Sequence, residues 1–300
     1  MLKVGLALGG GGAKGFAHIG VLRALEELAI WPEIVAGTSA GGIIGAMYAA
    51  DLGVDRIEAY IRSTGLTVLA ARERSHLGLL GRDKVIRWLE NILGDATFEQ
   101  LPRKLAVVAV DLESEQEVIL DSGRVIDALL ATSAYPGVFA PMALNDRHLI
   151  DGGVLNNVPF DVARNLGADW VIACNVNAHR GPLFLDLPTE GVQAESFVRQ
   201  LLSRSRAATL WTVVDRTIAI MQDGHVQDKL ERCPPDVMLC PEVGHMGLFD
   251  LHHLDECIEA GQAAVRQRQA ELIELRDKAS RPPQAPSIQE RVFGRFLQRS

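Results

Sequence analysis

Short apolar runs alternate with amphipathic segments along most of the chain. The runs that predict buried strands are Lys3–Leu8, Glu33–Ala36, Lys104–Val110 and Trp170–Val176, with shorter ones at Glu117–Leu120 and His148–Ile150. Apolar residues at helical spacing predict helices over Gly15–Leu28, Gly41–Ala50, Val54–Ser63, Asp83–Leu93 and Val125–Thr132. Such alternation is typical of an α/β fold, a three-layer α/β/α sandwich with a mostly parallel central sheet.

Three segments interrupt the alternation and are expected at the surface. Thr64–Arg82 mixes basic residues with glycines and is interpreted as a flap near the mouth of a site. Gly181–Glu195 is rich in Gly, Pro and acidic residues, which indicates an excursion between core elements. The Pro-rich stretch Arg281–Ser287 predicts a linker. We therefore expect one domain over residues 1–280 and a linker with a short tail over residues 281–300.

Composition and charge narrow the class of protein. The chain has 300 residues, of which 48% are hydrophobic, enough for one large α/β domain. The formal net charge of -8 argues against general binding of nucleic acid. Four cysteines lack C-x-x-C spacing, and the first strand leaves no room for a signal peptide, so we expect reduced thiols in a cytoplasmic protein. No His/Cys/Asp cluster has metal-ligand spacing, and we expect neither metal nor cofactor.

Two glycine-rich loops each follow a predicted strand and precede a predicted helix. The second, Gly37-Thr38-Ser39-Ala40-Gly41, has the G-x-S-x-G spacing of a nucleophile elbow, where only small residues fit beside the serine. A serine hydroxyl becomes an effective nucleophile when a base removes its proton. Ser39 is therefore the candidate nucleophile, and Gly37 and Gly41 support its turn.

The first loop, Gly9-Gly10-Gly11-Gly12-Ala13-Lys14-Gly15, offers backbone N–H groups at a helix N-terminus. Dinucleotide binding would need an acidic residue at the end of the second strand, about 20 positions further on, and none stands there. A Walker A loop would need Ser or Thr after Lys14, where the chain has Gly15. An oxyanion hole formed by Gly10, Gly11 and Gly12 fits better, with a tight turn that binds nothing as the alternative.

A third motif, Asp151-Gly152-Gly153, ends another predicted strand with a carboxylate. This carboxylate is either a turn former or a general base. A Ser-His-Asp triad would need a histidine beside Ser39. The four histidines considered for that role lie in or near polar segments, away from clean strand ends: His179, His245, His252 and His253. His18 lies one turn into the first helix, too near the glycine loop to be an obvious base.

These three motifs, in this order, resemble those of bacterial patatin-like phospholipases. The resemblance continues through Gly15–Leu22, Ala131–Pro141 and Asp151–Pro159, and covers most of residues 3–270. The family's loop often carries arginine where this chain has Lys14, so the charge is kept but the bidentate fork is lost. The ending in Gly153 is a common variant of the third motif.

The resemblance implies a patatin-like fold and a serine acyl hydrolase that cleaves carboxylic ester bonds of phospholipids or related lipids. It implies a Ser-Asp dyad that needs no histidine, in which Ser39 attacks the carbonyl and Asp151 accepts its proton. Lys14 and Gly15 would support the oxyanion loop, and Gly152 and Gly153 the turn after Asp151. A catalytically silent acyl- or lipid-binding regulator is the alternative. Head group, chain length and homo-oligomer formation stay open.

The last thirteen positions predict a basic amphipathic helix. Its apolar members are Val292, Phe293, Phe296 and Leu297, and its basic members are Arg291, Arg295 and Arg299. Such a helix suits a lipid interface but is too short to span a bilayer. The resulting expectation is peripheral contact with the inner face of the membrane, with docking on the protein's own domain or on a second subunit as the alternative.

Overall fold

The computed structural model describes residues 2–65, 82–179 and 204–280. Within them, helices cover both faces of one sheet, which confirms the predicted α/β/α sandwich. The strands are β1 Val4–Leu8, β2 Ile34–Thr38, β3 Lys104–Asp111, β4 Gln116–Leu120, β5 Met142–Leu144, β6 Arg147–Asp151, β7 Trp170–Cys174 and β8 Val237–Leu239. The helices are α1 Ala17–Glu27, α2 Ala40–Ala49, α3 Val54–Tyr60, α4 Asp83–Leu93, α5 Val125–Thr132, α6 Phe160–Asn165, α7 Arg204–Arg232, α8 Leu254–Gln267 and α9 Gln269–Ser280.

The sheet is parallel through its centre, where the strands pair in the order β3-β2-β1-β7-β8; β4 and β6 also pair with β3, and β5 pairs with β6. Strands β3, β2, β1, β7 and β8 run parallel, whereas β4, β5 and β6 form antiparallel pairs. Because β1 and β2 are parallel neighbours, their carboxyl ends lie side by side. Both glycine-rich loops therefore leave the sheet at the same edge, where ligands bind in open α/β sheets.

Strands β2 and β6 meet end to end along one edge of β3. The residue pairs Thr38↔Val108 and Ala109↔Asp151 place the carboxyl ends of β2 and β6 at adjacent positions of β3. Strand β4 occupies the other edge of β3 over this stretch, so β2 and β6 share the remaining edge. The register alone thus brings Ser39, which follows Thr38, close to Asp151.

One face of the sheet carries a row of small side chains. Ala106, Ala36, Ala7 and Ala173 pair in register across four neighbouring strands and are fully buried. They share a core cluster with Phe160 of α6 and with residues of α7. Alanine at each position leaves room for the Phe160 ring and lets the short helix α6 lie close to the sheet. The other face carries larger leucines and valines against α1, α2 and α5.

Most predicted elements are confirmed with small shifts of their ends, and four of the described helices had not been predicted. Helix α3 ends at Tyr60 and continues as a π-helical turn, Ile61–Gly65. The helices without a prediction are α6, α7, α8 and α9. The predicted surface segment Gly181–Glu195, the tail 281–300 and most of the predicted flap lie outside the described residues. Among the helices that are described, none has the length and hydropathy needed to cross a bilayer.

Candidate active site

Ser39 stands at the sharp turn between β2 and α2. Its backbone has φ 53° and ψ -124°, a conformation that residues other than glycine rarely adopt, at a cost of about 1–3 kcal/mol. The Ser39 N–H donates to Thr132 Oγ1 at 2.9 Å, and that hydroxyl donates to the Val108 carbonyl. The turn therefore has the form of a nucleophile elbow. It is anchored to helix α5 and strand β3.

The two glycine-rich loops pack directly on each other, and this explains several of the glycines. A Cβ on Gly41 would lie 2.1 Å from the Leu8 carbonyl oxygen, and one on Gly15 would lie 2.6 Å from the Ala40 Cβ. A Cβ on Gly37 would lie 2.7 Å from the Gly41 carbonyl oxygen. Larger residues at these positions would push the two loops apart.

The first loop leaves two backbone amides without partners. The Gly10 N–H donates to the Asn157 carbonyl at 3.1 Å, so the structure corrects the prediction of Gly10 as an oxyanion donor. The Gly10 carbonyl in turn accepts from Asn177 Nδ2 at 2.7 Å and from Asn157 Nδ2 at 3.3 Å. Among the described residues, the N–H groups of Gly11 and Gly12 have no hydrogen-bond acceptor. These two remain as candidate oxyanion donors.

His18 supports the same loop from helix α1. Its ring is fully buried, and Nε2 lies 2.8 Å from the Gly9 carbonyl oxygen, which can only accept. Nε2 therefore carries the proton. Burial lowers the pKa of His18 to about 4, against the opposing effect of the Gly9 hydrogen bond. The ring is neutral near pH 7 and holds the loop.

Lys14 is buried beside the glycine loop. Its ammonium donates to Asn177 Oδ1 at 3.2 Å, and Asn177 holds the Gly10 carbonyl. Lys14 lines a separate, polar cavity, whereas Ser39 lines an apolar one. Lys14 thus supports the loop through Asn177.

Asp151 ends β6 with its side chain 1% exposed. Oδ1 accepts the Gly153 N–H at 2.8 Å, while the buried Oδ2 makes no hydrogen bond of ordinary geometry with a described residue. Burial raises the pKa of Asp151 to about 7, and the nearby Ser39 hydroxyl and the Gly153 N–H oppose that rise. A Cβ on Gly152 would lie 2.2 Å from the Val108 carbonyl oxygen, so the turn packs tightly on β3.

Ser39 opens onto a cavity with predominantly apolar walls. Its lining includes Phe16, Ile43, Trp88, Val138, Phe139 and Leu251. No histidine of the described chain lines it. His245 and His253 instead contact Glu256, with ring nitrogens 2.9 and 2.8 Å from its carboxylate oxygens. The site therefore places the Ser39 hydroxyl, the Asp151 carboxyl and free backbone amides beside a space suited to a hydrocarbon chain.

Metal ligands are not grouped in the parts of the chain that the structure describes, where no three His, Cys, Asp or Glu residues could hold one ion.

Sequence reasoning left four supporting side chains without a role: His18, Thr132, Asn157 and Asn177. The first three lie in blocks that carry the family resemblance, and that position was a usable signal. Asn177 follows β7, which is the parallel neighbour of β1. Its position just beyond that strand, at the edge of the sheet where both loops lie, is the signal that could have identified it.

Comparison with known proteins gives a consistent picture. A family model described as Patatin-like phospholipase matches residues 6–164, more than half of the chain. An uncharacterised NTE family protein of Mycobacterium tuberculosis is 36% identical over 184 residues, which cover 60% of this chain and 51% of that protein. The mouse patatin-like phospholipase domain-containing protein 6 is 32% identical over 183 residues, covering 58% of this chain and 14% of that protein.

The chain therefore spans about half the length of the mycobacterial relative and less of the mouse one. Among solved structures, VipD from Legionella pneumophila aligns with a TM-score of 0.48 at 13% identity, covering 91% of this chain and 67% of VipD. The match to the family model over residues 6–164 includes all three motifs. The chain belongs to the patatin-like phospholipase family.

Proposed function

We propose that the protein is a serine acyl hydrolase that cleaves carboxylic ester bonds of phospholipids or related lipids through an acyl-enzyme on Ser39. The observation that carries the proposal is the strained Ser39 turn beside the buried carboxyl of Asp151. A general base works best when its pKa is near the working pH. Burial that raises the pKa of Asp151 to about 7 gives this carboxylate the basicity that an exposed aspartate lacks.

In the first step, Asp151 Oδ2 accepts the hydroxyl proton while Ser39 Oγ bonds to the ester carbonyl carbon. The negative charge that develops on the carbonyl oxygen is stabilised by the N–H groups of Gly11 and Gly12. One such donor is typically worth about 3–4 kcal/mol of barrier. Collapse of the tetrahedral intermediate breaks the bond to the alcohol, which leaves with the proton that Asp151 held.

In the second step, Asp151 takes a proton from water, and the resulting hydroxide attacks the acyl-enzyme. The acid leaves, and Ser39 Oγ recovers its proton from Asp151. The acyl chain lies in the apolar cavity during both steps. We further propose that the tail over residues 281–300 brings the enzyme to the inner face of the membrane.

The test is covalent labelling together with turnover. A fluorophosphonate probe should form one adduct, mapped by mass spectrometry to Ser39, and hydrolysis of a p-nitrophenyl acyl ester should disappear in the folded variant Ser39→Ala. Turnover that survives in Ser39→Ala would contradict the proposal. Binding of fatty acid by a wild-type protein that neither reacts with the probe nor hydrolyses the ester would favour a regulatory protein that binds acyl groups.

A further inference from the structure

A second cavity, here named the polar cavity, lies beside the apolar cavity of Ser39. It is lined by Lys14, Tyr135, Asp215, Arg216, Gln222 and His245, among other residues. Tyr135 and Leu248 line both cavities, so the two cavities adjoin at these residues. The polar cavity takes most of its lining from helix α7 and the loop before α8, which none of the sequence motifs cover.

The polar cavity borders both halves of the proposed active site. Along the glycine loop, Gly12 and Ala13 face the apolar cavity, while Lys14 faces the polar one. At the other side, Gln222 Nε2 lies 2.9 Å and Asp151 Oδ1 lies 3.0 Å from the point where a Gly153 Cβ would stand. A residue of the polar cavity thus packs against the turn that carries Asp151.

An ester joins an apolar acyl chain to an alcohol that can be polar. The two cavities differ in polarity in the same way. The carbonyl carbon must lie at Ser39 Oγ, with the acyl chain on one side and the alcohol on the other. The apolar cavity suits the acyl chain because burying hydrocarbon there is favourable. The polar cavity is then left for the alcohol that departs.

The charges of the polar cavity favour an anion. Lys14 brings a buried ammonium and Arg216 a guanidinium that makes no hydrogen bond or ion pair with a described residue. The carboxylate of Asp215 already accepts the Tyr135 hydroxyl at 3.0 Å, and His245 contacts Glu256 at 2.9 Å. A half-buried guanidinium that has no carboxylate partner among the described residues suits a phosphate group, because its planar fork matches phosphate oxygens.

We infer that the polar cavity is the leaving-group site and that Arg216, with Lys14, binds a phosphate group on the departing alcohol. This inference rests on the proposed acyl hydrolase function and makes Arg216 the residue that distinguishes phosphate-bearing esters from neutral ones.

The test compares two substrates with the same acyl chain, an acylglycerol phosphate and the corresponding monoacylglycerol, which differ only by the phosphate. The measured quantity is the ratio of their kcat/KM values in the full-length protein. Loss of a charge-assisted hydrogen bond should lower that ratio about tenfold or more in Arg216→Gln. Arg216→Lys, which keeps the charge, should fall between. Arg232→Gln is the matched control, because this arginine lies exposed at the end of the same helix and should leave the ratio unchanged.

Each outcome separates this inference from the function on which it rests. A wild-type ratio near one, or the same ratio in Arg216→Gln as in wild type, would overturn the leaving-group assignment while p-nitrophenyl ester hydrolysis upholds the hydrolase. Failure of the wild-type protein to hydrolyse any of the three esters would overturn the hydrolase itself. Competitive inhibition by glycerol 3-phosphate that weakens in Arg216→Gln would support the site independently of turnover.

Discussion

Ser39 and Asp151 meet at adjacent positions of β3, yet the fold holds them by opposite means. The backbone of Ser39 is strained, with φ 53°, whereas Asp151 has an unstrained φ of -51° and ψ of 125°. The cost at Asp151 is electrostatic instead, because burial opposes ionisation and raises its pKa to about 7. The unfavourable free energy at Ser39 thus comes from its backbone conformation, and that at Asp151 comes from burying a carboxyl away from water.

The difference follows from what each group must do. A nucleophile must project into the substrate cavity, and the sharp turn after β2 presents the Ser39 side chain there. A base must hold a proton at neutral pH, and burial gives a carboxyl that property. Thr132 accepts a hydrogen bond from the Ser39 N–H, and the Gly153 N–H donates one to Asp151. These hydrogen bonds stabilise the strained turn and the buried carboxyl.

The largest effect is expected when the base is removed. Asp151→Asn keeps the shape of the side chain but cannot accept the Ser39 proton, so kcat/KM should fall by about 10²–10⁴. In the wild-type enzyme the carboxyl must be ionised, so kcat/KM should rise with pH and level off above about 7, the raised pKa of Asp151. Initial rates on a soluble ester between pH 5 and pH 9 measure both the loss in Asp151→Asn and the pH dependence of the wild type. This range extends roughly two units on each side of the raised pKa of Asp151.

A histidine base would give a different result. If an alanine at His179, His245, His252 or His253 silenced the folded enzyme as completely as Asp151→Asn, a triad would replace the dyad. Asp121→Asn is a matched control for the aspartate, because Asp121 is exposed and distant in sequence from all three motifs. It should keep the wild-type rate and pH profile.

The same substitution should also change stability, and with a defined sign. The pKa of Asp151 is about 7 in the folded protein and 3.8 in its ordinary state. Between these values the unfolded chain releases the proton while the folded protein keeps it, so the free energy of unfolding falls as pH rises. Above about 7 the full cost is present, at most about 4 kcal/mol.

Asp151→Asn removes this cost because an amide does not ionise. Denaturant unfolding should therefore show the variant and the wild type nearly equal at low pH, with the variant more stable by about 1–4 kcal/mol at pH 8. A difference that does not vary with pH would mean that the buried carboxyl ionises as easily as an exposed one. Asp121→Asn should show no such pH-dependent gain.

The sequence predicts the three backbone motifs of the site well, but it does not predict the hydrogen bonds that hold them. The two glycine-rich loops and Asp151-Gly152-Gly153 were found from spacing, because glycine is needed where Gly41 touches Leu8 or where Gly152 touches Val108. Spacing could not tell which amides are free. Gly10 looks like its neighbours in sequence, but its N–H is occupied by Asn157, which lies far along the chain.

The absence of a prediction for helix α7 has a physical explanation as well. Helix α7 carries apolar residues such as Ile220 and Met221 on an exposed side, 65% and 46% accessible, while Gln222 on another side is buried. A pattern rule that places apolar residues inward cannot detect such a helix. Helix α8 instead buries Leu254, Cys257, Ile258 and Val265 at helical spacing, a pattern from which it could have been predicted.

The smallest expected effect tests the strain at Ser39. Glycine adopts a positive φ without steric cost, so Ser39→Gly should relax the turn, whereas Ser39→Ala keeps the Cβ and the strain. The side chain of Ser39 makes no capping hydrogen bond to α2, so loss of a cap does not obscure the comparison. Because glycine also gains entropy in the unfolded chain, the net advantage of glycine over alanine should be about 1 kcal/mol in the free energy of unfolding.

The matched pair Ser122→Gly and Ser122→Ala, at an exposed position without positive φ, should favour alanine or show no difference. If alanine is also the more stable residue at position 39, the turn stores no strain, and the contrast with Asp151 reduces to the buried charge alone.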